Sequence, residues 1–72
     1  MIDLNNINAK NIRDNLDALE KWFLKNPAEL FSNEHFNARM SLFLDRSILL
    51  IIYKNGAREI YENQNGAWTE VR

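Results

Sequence analysis

The sequence contains no cysteine, which excludes disulfide bonds and thiolate metal sites. The chain therefore cannot be a disulfide-stapled secreted mini-protein, and a cytoplasmic location is the simpler expectation. Residues 1–6 have neither a basic start nor an apolar run, so no signal peptide is predicted. The longest apolar run, residues 48–53, has six residues, whereas a membrane helix needs roughly 20. We therefore expect no membrane partner.

The sequence also has little net charge, because ten acidic and nine basic side chains leave it at −1. No overall field attracts nucleic acid or an anionic surface. The apolar fraction of 46% and the charged fraction of 26% are ordinary for a globular protein. With 72 residues, the chain is predicted to form a single domain, 1–72, of modest stability, because a small domain buries a smaller share of its surface.

Few residues are suited to catalysis or to metal binding. His35 is the single histidine and lies in a polar stretch, so we interpret it as a surface residue rather than a metal ligand. The carboxylates of the C-terminal half are scattered and form no evident acid pair. No glycine-rich phosphate loop and no nucleophile elbow is present. The sequence thus predicts no enzyme, no metal, no cofactor and no small-molecule substrate.

A helix is predicted over residues 9–25. Its apolar side chains recur every three or four residues and so lie along one stripe: Ile12, Leu16, Leu19, Trp22 and Phe23. Asn8 is a candidate N-cap, because its side-chain oxygen can accept from a free amide of the first turn. Pro27 ends the helix, since proline lacks the amide needed to continue it. The pair Asn26-Pro27 can also open a short second helix over residues 27–36.

Strands are predicted where the period of the apolar pattern changes to two. They cover residues 38–44, 48–54, 57–62 and 67–71. The second strand is apolar on both faces and rich in β-branched side chains, which places it in mid-sheet. Asn55-Gly56 follows it and is typical of a two-residue type I′ turn. The predicted fold class is therefore α+β, with two N-terminal helices and a four-stranded antiparallel meander.

A type I′ turn would fix the register of this hairpin and, with it, the two faces of the sheet. Tyr53 would lie opposite Arg58, and a four-residue turn further on would place Tyr61 opposite Trp68. One face then presents Leu49, Ile51, Tyr53, Ile60, Thr69 and Val71. The other presents Ile48, Leu50, Ile52, Tyr61 and Trp68, with Lys54, Glu59 and Glu70 at its margins.

The second of these faces is the predicted binding surface. Four strands span about 19 Å and a helix is about 10 Å across, so the helices can cover one face but not both. An uncovered apolar face usually marks an interface, and Trp and Tyr are enriched at binding hot spots. The predicted contact residues are Leu50, Ile52, Tyr61 and Trp68, with a polar rim of Arg58, Glu59 and Glu70.

Two segments of the chain itself could cover this face instead. They are the N-terminal arm, with Ile2, Leu4 and Ile7, and the segment 30–40. If neither covers it, the face is expected to bind a partner protein or a second copy of the chain, and a homodimer is the simplest arrangement.

The sequence therefore predicts a small non-catalytic protein-interaction module. By analogy of size and composition alone, we expect a prokaryotic or phage accessory protein or inhibitor, anti-CRISPR-like or antitoxin-like. The alternative is a sheet that binds single-stranded nucleic acid. Aromatic side chains (Phe43, Tyr53, Tyr61 and Trp68) alternate there with basic ones (Arg39, Arg46, Lys54 and Arg58). The net charge of −1 opposes this alternative.

Overall fold

One α-helix packs on one side of a five-stranded antiparallel sheet in the computed structural model, which describes residues 3–72. In chain order the elements are the 3₁₀ segments Leu4–Asn6 and Ile12–Asn15, helix α1 (Leu16–Lys25), and the strands β1 (Phe31–Ser32), β2 (Phe36–Leu42), β3 (Ser47–Tyr53), β4 (Arg58–Gln64) and β5 (Ala67–Val71). The strands lie in the sheet in the order of the chain. The α+β class and the antiparallel meander are confirmed, with one helix fewer and one strand more than predicted.

Helix α1 begins later than predicted because a capped turn precedes it. The Asn8 Oδ1 accepts from the amides of Lys10 (2.9 Å) and Asn11 (3.3 Å), and the Asn8 amide donates to the Asn11 Oδ1 (2.7 Å). This reciprocal pair resembles a capping box and leads into a 3₁₀ segment. The predicted apolar stripe is buried at Ile12, Leu16, Leu19 and Phe23. No helix within residues 3–72 has the length and apolar character needed to cross a membrane.

The predicted second helix over residues 27–36 is wrong, and an extended segment takes its place. Ala28 has a φ of 65°, in the left-handed region that a helix interior excludes. Beyond it, Phe31–Ser32 pairs with β2. The Phe31 ring is buried, and its centroid lies 5.2 Å from that of Trp22 and 5.7 Å from that of Phe36. This aromatic packing between helix and sheet outweighs the local helix-start signal of the Asn-Pro pair.

The chain before α1 packs on the helix side of the sheet. Ile7 is fully buried in the core and Leu4 lies against it. Asn33, between β1 and β2, holds this segment: its Nδ2 donates to the carbonyls of Leu4 and Ile7, both at 3.1 Å. Its Oδ1 accepts from two amides of its own turn, at 2.8 and 3.0 Å. Leu4 and Ile7 thus do not cover the far side of the sheet, the segment 30–40 contributes to the sheet itself, and Ile2 lies outside the described residues.

The turn between β3 and β4 has three residues, so the predicted type I′ turn is wrong. The Tyr53 amide donates to the Ala57 carbonyl (2.8 Å), and the Tyr53 carbonyl accepts from the Gly56 amide (2.9 Å). Gly56 has a φ of 90°, as in a hairpin closed by a type I turn and a G1 bulge. Asn55 does not adopt positive φ; its side chain accepts from the Ala57 amide at 2.9 Å. The hairpin is therefore one residue out of the predicted register.

The type I′ turn occurs instead at Asn65-Gly66. The φ angles of these residues are 56° and 86°, and the turn closes β4 directly onto β5. The predicted four-residue turn is thus wrong, and Trp68 lies opposite Asn63 rather than opposite Tyr61. This change amounts to two residues, so Tyr61 and Trp68 still share a face.

The one-residue shift in the first hairpin exchanges the side chains of β4 and β5 between the two faces. Leu49 lies opposite Tyr61, and Ile51 lies opposite Glu59. Tyr61 is only 2% exposed and belongs to the core beneath α1. We call the side of the sheet beneath α1 the covered face. It includes Phe36, Ala38, Leu49, Ile51, Tyr53, Glu59, Tyr61, Asn63, Trp68 and Glu70.

We expect Asn33→Ala to lower the free energy of unfolding by about 1–3 kcal/mol, because it leaves partly buried amides and carbonyls without partners. Asn5→Ala is the matched control: Asn5 is exposed and its side chain makes no hydrogen bond within residues 3–72, so a change within about 0.5 kcal/mol is expected. Urea unfolding followed by circular dichroism measures both. Equal effects of the two substitutions would contradict the role of Asn33.

Candidate protein-binding face

The side of the sheet away from α1, which we call the open face, has an aliphatic centre. Leu50 lies opposite Ile60, and Ile60 opposite Val71, so one apolar row crosses β3, β4 and β5. Ile48 and Ile52 extend this row along β3, because alternate residues of a strand share a face. Ile60 is 37% and Val71 45% exposed, and the other three are half-buried. These five residues form what we call the aliphatic patch.

Polar and charged side chains surround the aliphatic patch. Arg39 of β2 lies opposite Leu50, and Arg58 of β4 lies opposite Ile52. Both arginines are exposed. At the other end of the face, the Glu62 carboxylate is 3.5 Å from the Arg46 guanidinium. The open face therefore combines an apolar centre with a charged margin, the pattern of a protein interface.

The covered face is held by polar side chains on the helix side. The Asp17 carboxylate accepts from the Trp68 indole at 2.7 Å. Arg13 donates to the Tyr61 hydroxyl at 3.4 Å and forms an ion pair with Glu70 at 2.7 Å. Arg13 and Asp17 are four residues apart and thus lie on the same side of the helical segment. They place the polar ends of both aromatic side chains against the helix.

Glu20 lies on the same side of the helix, nearer the other end of the sheet, and we call Arg13, Asp17 and Glu20 together the polar stripe. Its carboxylate accepts from the Ser47 hydroxyl at 2.6 Å and from the Asn63 side-chain amide at 2.9 and 3.1 Å. Ser47 is 6% exposed, and a buried hydroxyl is costly unless it is hydrogen-bonded. The Asn63 Oδ1 has no hydrogen-bond donor among the described residues. Glu20 thus connects α1 to both β3 and β4.

The seven predicted contact residues divide between the two faces. The open face holds three of them: Leu50, Ile52 and Arg58. The covered face holds the other four: Glu59, Tyr61, Trp68 and Glu70. The reason is the register of the first hairpin, because a shift of one residue moves every side chain of a strand to the opposite face. The predicted grouping of these seven residues on one surface is therefore wrong.

Ile60 and Val71 lie on the open face, although the predicted register puts them on the opposite face. They are neighbours in sequence of Tyr61 and Glu70, so in each pair only one residue can face the helix. The helical segment contained a signal that Tyr61 and Trp68 face it. Arg13 and Asp17 offer a donor and an acceptor at helical spacing, and buried Tyr and Trp need such partners.

Tyr53 and Glu59 form a polar pair at one end of the covered face. The Tyr53 hydroxyl donates to the Glu59 carboxylate. Burial raises the pKa of Tyr53, and the hydrogen bond to Glu59 raises it further. Burial also raises the pKa of Tyr61, although the hydrogen bond from Arg13 lowers it in part. Both hydroxyls are therefore neutral around pH 7, which suits hydrogen bonding rather than nucleophilic chemistry.

The structure places three of the four aromatic side chains considered for nucleic-acid stacking on the covered face: Tyr53, Tyr61 and Trp68. Phe43 lies in the turn between β2 and β3, with the Arg46 guanidinium 4.9 Å from its ring centroid. Within residues 3–72 the open face thus presents no aromatic ring on which a base could stack. No group of three or more metal-ligating side chains occurs in the same range, and His35 is partly exposed beside Glu34.

We expect Tyr53→Phe to flatten the loss of stability above pH 10. The unfolded tyrosine ionises near its usual pKa of 10.0, whereas the folded one has a raised pKa. The contribution of Tyr53 is therefore complete below pH 10 and is lost as the pH rises toward the folded pKa. The variant should be less stable by about 1 kcal/mol near pH 7, and this difference should shrink as the pH rises above 10. Denaturant unfolding across this range tests the expectation, and parallel stability curves would contradict it.

Comparison with known proteins gives no match: no family model, no curated protein and no solved structure is significantly similar to this chain.

Proposed function

We propose that this protein is a non-catalytic protein-interaction module that binds its partner through the open face of the sheet. One observation carries the proposal: the aliphatic patch, formed by Ile48, Leu50, Ile52, Ile60 and Val71, stays in contact with solvent while the helix covers the other face. Domains usually bury both apolar faces of a sheet between layers. A partner would supply the missing layer.

The composition of the patch supports binding rather than folding as its purpose. Solvent-facing positions of an antiparallel sheet are normally polar, which keeps the alternation of apolar and polar residues along a strand. Here β3 carries aliphatic side chains on both faces, with Leu49 and Ile51 buried and Leu50 and Ile52 on the open face. Leu50 and Ile52 are only half-buried in the free protein, and covering the rest of their apolar surface contributes roughly 25 cal/mol for each Å² removed from water.

The mode of action that follows is occupation of a partner's surface. Such a role requires no bound cofactor and no reactive side chain, and it depends on shape and on charge at the margin. Occupying the surface of a larger protein is how accessory proteins and inhibitors act, the class that size and composition predict for this chain. This assignment to an accessory or inhibitory role is part of the proposal.

We expect Ile60→Lys to abolish partner binding while the fold is kept, because Ile60 is 37% exposed at the centre of the apolar row. A buried cation without a partner at an interface is costly. The cost to stability should stay below about 1 kcal/mol, since the side chain faces solvent in the free protein.

Leu24→Lys is the matched control, because Leu24 is 58% exposed but lies on α1. Immobilised wild type and both variants would be used to capture proteins from a lysate of the source cells. The proposal expects one protein that wild type and Leu24→Lys retain and Ile60→Lys does not, with hydrogen exchange of the open face slowed in the purified complex. Equal retention by all three would place binding elsewhere and contradict the proposal.

A further inference from the structure

We infer that the partner of the open face is an amphipathic helix whose apolar side is bordered by carboxylates along both margins. This inference rests on the proposed function, and it names the chemistry of the partner for that same surface. The observation behind it is that two exposed arginines, Arg39 and Arg58, lie on opposite sides of β3. Neither has a carboxylate partner among the described residues.

The arginines of the open face differ from the others in their ion pairing. The sequence has five arginines, and three of them have carboxylate partners. Arg13 lies 2.7 Å from Glu70, Arg46 lies 3.3 Å from Asp45, and Arg72 lies 3.9 Å from Glu70. Arg39 and Arg58 have no carboxylate within ion-pair distance among the residues that the structure describes. Their guanidinium groups are therefore available to a partner.

The charge of the open face is opposite in sign to that of the whole chain. Its strand residues include two cations, Arg39 and Arg58, and one anion, Glu62, which gives +1. The whole chain carries −1. Glu62 is already paired with Arg46, so within residues 3–72 no carboxylate of this face is left to balance the two arginines. An acidic partner surface complements this arrangement.

The spacing of the two arginines fits a helix. Arg39 is on β2 and Arg58 on β4, so two strand spacings of about 4.8 Å separate them across the sheet, close to the helix diameter of about 10 Å. The aliphatic side chains of β3, Ile48, Leu50 and Ile52, run between them. A helix laid along β3 would rest its apolar side on these three side chains and would meet one arginine at each margin.

A second copy of this chain fits the face less well. Two open faces packed together would bring four unpaired guanidinium groups into one interface, while the Glu62 carboxylate of each copy is already held by Arg46. Like charges placed across an interface without counterions disfavour the complex. The charge pattern thus favours a different partner over the homodimer, which is the simplest arrangement expected from the sequence.

The test uses the full chain and three synthetic helical peptides of about 18 residues, long enough to form a helix in isolation. All three carry the same leucines on one side. The margins of that side carry glutamate in the first peptide, glutamine in the second and lysine in the third. Binding of each labelled peptide is measured by fluorescence anisotropy at low and at high salt. We expect the glutamate peptide to bind roughly tenfold more tightly than the lysine peptide, with the difference shrinking as salt screens the charges.

Two variants locate the effect. The double substitution Arg39→Gln and Arg58→Gln should remove the preference among the peptides, and Arg72→Gln, outside the open face, should keep it. The inference is overturned if the lysine peptide binds as tightly as the glutamate peptide, or more tightly. If in that case all three peptides bind the wild type and none binds Ile60→Lys, the proposed function still holds. Sedimentation showing a wild-type dimer that Ile60→Lys dissociates would also overturn it, by making a second copy the occupant. If no peptide binds and Ile60→Lys alters no interaction, both the inference and the proposed function fail.

Discussion

The hydrogen bond from the Gly56 amide to the Tyr53 carbonyl closes a three-residue turn, and the pairing of β4 on β3 follows from it. Glycine is suited to this position because the turn requires a φ of 90° there. A turn shorter by one residue would bring Tyr61 to the solvent side and Ile60 to the helix side. The core, the contacts of α1 with the sheet and the identity of the open face all depend on this one turn.

Two adjacent rows of side chains, one apolar and one polar, hold the helix against the sheet. Both rows run along α1 and the 3₁₀ segment before it. The apolar stripe, including Leu16, Leu19 and Phe23, packs on the covered face. The polar stripe bonds the ends of side chains that are apolar along most of their length, as Asp17 does for Trp68. Tyr61 and Trp68 can therefore lie beneath the helix without leaving a hydroxyl or an indole nitrogen unpaired. This arrangement keeps Tyr61 and Trp68 on the covered face and leaves aliphatic side chains of β4 and β5 on the open face.

The two faces of the sheet consequently have different chemistry. On the covered face, hydrogen bonds and ion pairs connect most polar groups to the helix side, as with Glu20 and Ser47. On the open face, the aliphatic patch lies between Arg39 and Arg58, which the described residues leave without carboxylate partners. Strength of binding would come from the apolar contact, and choice of partner from the charges beside it. This is the surface through which we propose that the protein binds its partner.

Much of the candidate site was predictable where it depended on local sequence. Leu50 and Ile52 were predicted on an uncovered face because β3 is apolar on both sides and the predicted helices can cover only one face of the sheet. The same pattern could not predict that Ile60, and not Tyr61, lies on the open face. Nor could it predict this for Val71 in place of Trp68. Both residues of each exchange are apolar enough to be buried, so only the turn and the hydrogen bonds of Arg13 and Asp17 distinguish them.

Periodicity and composition alone establish an amphipathic helix, an antiparallel meander and an excess of apolar sheet surface, because each of these is a property of neighbouring residues. The tertiary structure decided the rest. It replaced a helix-start signal at Asn26-Pro27 with strand β1, because the Phe31 ring packs between α1 and β2. It also chose between two Asn-Gly pairs for the type I′ turn and thereby set which face is buried. These outcomes depend on contacts between separate elements of the fold, which no local pattern contains.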